Sequence, residues 1–170
     1  MCGGVSVARI SVAVLDTGPL IHLGQIAAFE VLDVIREPKV TESVVRELRG
    51  EGSLPVRCRK VALDGRGKDF AEFLVQRHGL GPGESSAIAL AKQEGVRLIF
   101  MDDLEAREVA RQLDLDPRGT LAMIARAYQE GVVSRKDALA FLGDLHTKST
   151  LYLTADLVEW ARREISSHRP

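Results

Sequence analysis

Val12-Ala13-Val14-Leu15-Asp16-Thr17-Gly18-Pro19-Leu20 is the stretch that decides the fold. An unbroken apolar run of this kind reads as a strand buried on both faces, as in a parallel sheet covered by helices. It ends on an acid, and Thr-Gly-Pro then reads as the turn by which the chain leaves the sheet. Open α/β sheets take their ligands outside the carboxyl ends of the strands, so Asp16 stands where a site is expected. Working outward, Val96–Met101 is a second run of the same kind, and it ends on Asp102-Asp103. Glu47 lies at the margin of a helix's apolar face, and Glu84 in the first turn of another helix. Acids at four such places, gathered on one sheet edge, would make a divalent-metal site.

The rest of the chain alternates. The first strand is expected at about 7–15, followed by helical patterns at Leu20–Gly24 and around Ala27–Leu32, then a short strand near Val34-Ile35. Thr41 reads as an N-cap, with Val44, Val45 and Leu48 on the apolar face and Gly50 as the stop. Gly50–Gly67 reads as a long loop holding one short strand, Val56–Val61. Phe70, Phe73, Leu74 and His78 mark a helix closed by Gly79; Gly81-Pro82-Gly83 opens the next, which ends at Gly95. Ala106, Val109, Ala110 and Leu113 keep helical spacing, and a short strand is expected at Leu113–Asp116. Gly119-Thr120 starts a helix, Ser134 with Asp137 caps another, and Leu151-Tyr152-Leu153 reads as a last strand. Thr154 caps a terminal helix carrying Leu157, Trp160 and Ile165. Trp160, Tyr128 and the phenylalanines, at helical spacing, are expected in the core. Strand–helix alternation implies a three-layer α/β/α sandwich with a mostly parallel central sheet.

With 170 residues, 45% hydrophobic and 28% charged, the chain fits one domain spanning 1–170 with a core that needs no staples. Residues 1–6 are expected to fray. A net charge of −1 gives no global attraction to nucleic acid, yet leaves room for a basic rim around an acidic centre. Cys2 and Cys58 match no zinc spacing and read as reduced thiols of a cytoplasmic protein. Val5–Leu15 is interrupted by Arg9 and lacks a basic leader, so it is not read as a signal peptide. No stretch is long enough to span a bilayer.

Each acid has a plainer alternative. Asp16 could close an Asx turn, Asp103 could cap a helix, and Glu84 could answer a helix dipole. Glu47 could be a surface charge. Adjacent carboxylates such as Asp102-Asp103 repel unless a cation or base neutralises them, and Glu84 shares a helix face with Ile88 and Ala91, where an unpaired carboxylate is costly. His22, His78, His146 and His168 show no metal-pair spacing and read as surface or packing residues. No nucleophile elbow, Walker loop or dinucleotide fingerprint is present. A phosphoryl-transfer enzyme using Asp16 as nucleophile is disfavoured, because Gly18 stands where a second acid is commonly needed.

Five blocks in order resemble those of the PIN-domain nucleases: Leu15–Ile21, Val44–Leu48, Gly81–Ile88, Asp102–Arg107 and Gly119-Thr120. The resemblance runs from Val12 to the last helix and is closest to a prokaryotic branch related to the VapC-type toxins. It implies metal-assisted hydrolysis of RNA phosphodiesters with Asp16, Glu47, Glu84 and Asp103 as catalytic acids. It also implies Mg²⁺ or Mn²⁺ on Asp16, Glu84 and the pair Asp102-Asp103, where Asp103 aligns best and Asp102 is the alternative. Glu47 would orient or deprotonate the attacking water. Thr17 matches the family's small hydroxyl residue and would contact substrate. Arg107, one turn after Asp103, could pair with that acid or contact a substrate phosphate, and Arg111 and Lys92 are further phosphate-binding candidates. The chain departs from the family at Met101, where many members have Thr, and at Glu84, where many toxins have Asp. The resemblance further implies a homodimer and a small antitoxin partner, the alternative being a catalytically weak module that binds RNA or protein.

Overall fold

Ala13, Val14 and Leu15 are all fully buried in the first strand, β1 (Ile10–Leu15). Successive side chains point to opposite faces, so the strand can only be apolar throughout if both faces are covered. Ala13 and Leu15 join one core, with Leu20, Leu32 and Ile124, whereas Val14 joins the other, with Leu74, Ile88 and Val109. The computed structural model describes residues 9–49, 55 and 57–167.

Five parallel strands form the sheet: β1, β2 (Ile35–Val40), β3 (Arg59–Lys60), β4 (Leu98–Phe100) and β5 (Asp116–Arg118), in spatial order β3-β2-β1-β4-β5. The chain moves outward from β1 through β2 to β3, then returns to lay β4 on the other side of β1. The strand order therefore reverses between β1 and β4, the place where such sheets open a crevice. Val14 pairs with Ile99 and Leu15 with Phe100, which sets Asp16 beside Met101 and Asp102.

The described residues form eight α-helices: α1 (Thr17–Gln25), α2 (Glu42–Leu48), α3 (Gly65–His78), α4 (Pro82–Glu94), α5 (Leu104–Gln112), α6 (Thr120–Gln129), α7 (Arg135–Lys148) and α8 (Ala155–Ser167). A 3₁₀ helix spans Phe29–Val34. The expected caps are in place. Thr41 Oγ1 accepts from Val44 N, Ser134 Oγ accepts from Asp137 N, and Gly79 and Gly95 end their helices in the left-handed conformation. Among the described residues no helix is long and apolar enough to cross a membrane. Cys58 is a buried free thiol.

Several expectations are corrected. Thr17-Gly18-Pro19 is the first turn of α1 rather than a free turn; Pro19 is tolerated there because first-turn N–H groups have no intrahelical acceptor. β2 is longer than the short strand expected near Val34-Ile35, and continues five residues past Ile35, through Pro38, to Val40. The neighbour β3 reaches only Lys39 and Val40, so Pro38 has a ladder partner on one side alone. β3 itself is confined to Arg59–Lys60, although Val61 N still donates to Val40 O at 2.9 Å; Val56 and the helix stop at Gly50 lie outside the described residues. β5 begins at Asp116 instead of Leu113, because Leu113 and Asp114 turn the chain out of α5, with Asp114 at φ 60°. Leu151–Leu153 forms no strand; Thr150 N is held by the Gln25 side chain and Leu151 N by Ser149 Oγ instead. Trp160 and Phe73 are half exposed rather than core, on the outer sides of α8 and α3.

Candidate active site

Asp16 caps α1, and its backbone N–H donates to Phe100 O at 2.9 Å, tying the ends of β1 and β4 together. The residue is only 4% exposed, and Oδ1 is buried with no hydrogen-bond partner among the described residues. Burial pushes the carboxyl up to about 7; the Thr17 amide opposes this, and the charges of Glu84, Glu47 and Asp102 add to it. A buried acceptor with nothing to accept from, surrounded by like charge, is satisfied by a proton or by a cation.

Glu47, in the last turn of α2, has both oxygens held. Thr17 Oγ1 donates to Oε2 at 2.5 Å and Gly83 N donates to Oε1 at 2.7 Å. α2 is registered against α4 by a buried hydroxyl relay. Ser86 Oγ donates to Gly83 O at 2.8 Å, which leaves Thr41 Oγ1 to donate to Ser86 Oγ at 2.7 Å. Gly83 lets Glu47 come this close, since a Cβ at that position would collide with both carboxylate oxygens. Gly83→Ala is therefore expected to displace the Glu47 carboxylate, and to cost little stability because the clash falls on the far end of a flexible side chain. Cleavage should fall as far as it does in Glu47→Gln. Parallel assays and thermal melts of the two variants check this; normal activity in Gly83→Ala would make the Glu47 clamp irrelevant.

Glu84 reaches back from the first turn of α4, where Oε2 accepts from Gly81 N at 2.8 Å. Burial raises its carboxyl above the ordinary value against the Gly81 hydrogen bond, and Asp103 and Glu47 add to the rise. One oxygen remains uncommitted.

Asp102 and Asp103 have different surroundings. Asp102 is enclosed: Oδ1 accepts from Thr120 N at 2.7 Å, while Oδ2 takes the Thr120 hydroxyl at 2.6 Å and lies 2.7 Å from His22 Nδ1. It thereby ties β4 to the first turns of α6 and, through His22, to α1. Asp103 is exposed and caps α5, with Oδ1 accepting from Ala106 N at 2.8 Å. Its second oxygen has no partner in the described structure.

Arg107, one turn into α5, stands behind Gly119 close to Asp102, and its Nε is buried without a partner among the described residues. Its pKa is lowered, first by desolvation and then by Arg111 and Arg118, while Asp102 opposes. Lys92 and Arg111 are not brought to the cleft: Lys92 Nζ donates to Leu113 O at 2.9 Å and Arg111 pairs with Glu108 at 3.3 Å. Thr17 reaches the cleft, but its hydroxyl is committed to Glu47.

Asp16, Glu47, Glu84, Asp102 and Asp103 all line one open cleft of about 390 Å³. Sequence reasoning missed two of its walls. His22 was read as packing, because no spacing rule pairs it with an acid eighty residues on. Tyr152 was read as part of a strand, whereas it stands at the cleft in a loop. Among the described residues no group of three or more His, Cys, Asp or Glu side chains is arranged, as it stands, to hold a metal ion. The donors themselves fit one. They are all carboxylates, as hard cations prefer; Asp16 Oδ1 is orphaned, and Glu84 and Asp103 each keep an oxygen in reserve.

A family model described as a PIN domain matches residues 12–167. No curated protein and no solved structure matches the chain.

Proposed function

This chain belongs to the PIN-domain family, a nuclease fold, and from that premise we propose that it is a Mg²⁺- or Mn²⁺-dependent endoribonuclease. The observation that carries the reading is the bare, buried Oδ1 of Asp16 at the strand-order reversal, with three further carboxylates acting on the same group. Asp16, Glu84 and Asp103 would hold the divalent ion, since each has an oxygen free of protein partners. When bound, the ion lowers the pKa of water and offsets charge on the phosphate. The net reaction adds water across a P–O bond: the water oxygen attacks phosphorus, the ester oxygen leaves, and it takes up a proton.

Glu47 is held on both oxygens yet stays open to the cleft, and it would accept a proton from the attacking water. Arg107, whose side chain lies beside Gly119 near Asp102 and outside the cleft lining, would have to reach toward the cleft to meet a phosphate oxygen in bidentate fashion. Asp102 is assigned a positioning role, because its oxygens are already engaged by Thr120 and His22. A homodimer, a toxin role like that of the VapC branch, a small antitoxin over the cleft and a cytoplasmic setting complete the reading. The first three rest on the family resemblance alone, and the cytoplasmic setting rests on reading Cys2 and Cys58 as reduced thiols.

Substitution of the adjacent acids tests the assignment. Asn caps a helix as well as Asp, so Asp103→Asn should keep its melting temperature while losing most Mn²⁺-dependent cleavage. Asp102→Asn should instead lose about 1–3 kcal/mol of stability, as a buried, charge-assisted hydrogen-bond network is weakened. Single-turnover rates and thermal melts of both variants give the comparison. Intact cleavage in Asp103→Asn, with abolished cleavage and a native melt in Asp102→Asn, would move the ligand back by one residue.

A further inference from the structure

Tyr152 is 88% exposed, the most exposed of the large hydrophobic side chains among the described residues, and it lines the acidic cleft. No hydrogen bond or ring contact involves it in the described structure. The exposure is not that of a loose end. Thr150 N donates to Gln25 Oε1 at 2.9 Å, and Gln25 Nε2 donates to Thr150 Oγ1 at 3.1 Å. Ser149 Oγ donates to Leu145 O at 2.5 Å and accepts from Leu151 N at 3.2 Å. Beyond the tyrosine, Leu153 is buried, and Thr154 Oγ1 accepts from Leu157 N at 3.3 Å. The loop is thus fastened on both sides of Tyr152. Its tie to Gln25 anchors it to α1, the helix that Asp16 caps.

A ring presented in this way, beside carboxylates that repel phosphate, has one role for which its chemistry fits. The chain's net charge of −1 supplies no general attraction to a polyanion, so an uncharged contact would add to what the ion and Arg107 supply. Nucleobases stack on exposed aromatic rings with little regard to sequence. In an A-form duplex those base faces are covered, and recognition turns to unpaired, splayed nucleotides. We infer that Tyr152 is a stacking platform for an unpaired base next to the scissile phosphate. This inference rests on the reading of the cleft as an RNA-cleaving site.

The test separates stacking from cleavage. An unstructured oligoribonucleotide carrying 2-aminopurine is offered to wild type, Tyr152→Ala, Tyr152→Phe and Tyr152→Trp with Mn²⁺, alone and annealed to its complement. Stacking is read from 2-aminopurine quenching, and cleavage from single-turnover rates against protein concentration. In Tyr152→Ala the half-saturating concentration should rise roughly 5- to 150-fold, the range given by loss of one base–aromatic stack. Quenching should disappear with it. Phe and Trp should restore both, and the annealed substrate should resist wild type. Cleavage by wild type with unchanged half-saturation and quenching in Tyr152→Ala would overturn the platform; so would equal cutting of the annealed form. A change in oligomeric state in Tyr152→Ala, with RNA binding unmoved, would overturn it in favour of a second copy of the chain covering the ring. Tyr152-dependent quenching without any Mn²⁺-dependent cleavage would keep the platform and remove the nuclease reading.

Discussion

Asp16→Asn is expected to lower Mn²⁺-dependent RNA cleavage by a factor on the order of a thousand or more while the circular dichroism spectrum stays native. Loss of a single preorganised electrostatic contact commonly costs about 10²–10³ in rate. Asp16 stands above that range because, among the acids lining the cleft, it has a buried, wholly unpartnered oxygen in the described structure. Asn keeps the size of the side chain, and the backbone bond from residue 16 to Phe100 O is unaffected. Fold and cleft should therefore survive. Undiminished cleavage would remove Asp16 from the site.

The same substitution should have a second large effect, of opposite sign, on the metal-free protein. The Asp16 carboxyl is raised from an ordinary 3.8 to about 7, chiefly by burial. Between those values the folded state holds a proton that the unfolded state has lost, so stability declines as pH rises from about 4 to about 7. Above that window the full penalty is present. The gap corresponds to roughly 4 kcal/mol, about 8–16 °C in melting temperature for a chain of this length. In a chelator-treated buffer, Asp16→Asn should melt higher than wild type by that margin at pH 8 and at the same temperature near pH 4. Saturating Mn²⁺ should narrow the difference at pH 8 by stabilising only the wild type. A pH-independent difference between the two proteins would mean that the carboxyl is not held protonated by its surroundings.

The parts legible in the sequence are those set by local chemistry. β1 announced itself because Val12–Leu15 is apolar on both faces, and Asp16 because a charge cannot continue such a strand. Thr41, Ser134, Gly79 and Gly95 marked helix ends, since side-chain oxygens and left-handed backbone have few other uses. What failed depended on neighbours. β2 runs on past Val34-Ile35 through Pro38, which the fold accepts because that residue has a ladder partner on one side alone. Leu151-Tyr152-Leu153 has strand composition, but it lies in a loop over the cleft.

In the site, the sequence could place acids at element ends but not say which of their oxygens are engaged. The separation of Asp102, enclosed by His22 and Thr120, from Asp103, which keeps a free oxygen, appears only once α1 and α6 are folded against β4. Gly83 likewise reads as a helix-opening residue, and its close approach to Glu47 is visible only in three dimensions.

The central claim, that the ion sits on Asp16, is tested most directly by counting protons. Titration calorimetry of Mn²⁺ into the metal-free wild type, in buffers of different ionisation enthalpy, gives the number of protons released per ion bound. A carboxyl at about 7 is largely protonated at pH 6 and ionised at pH 8.5, and it must lose its proton to become a ligand. The expected release is most of a proton per ion at pH 6, falling almost to zero at pH 8.5. Binding with no proton release at pH 6, or with the same release at both pH values, would contradict the account.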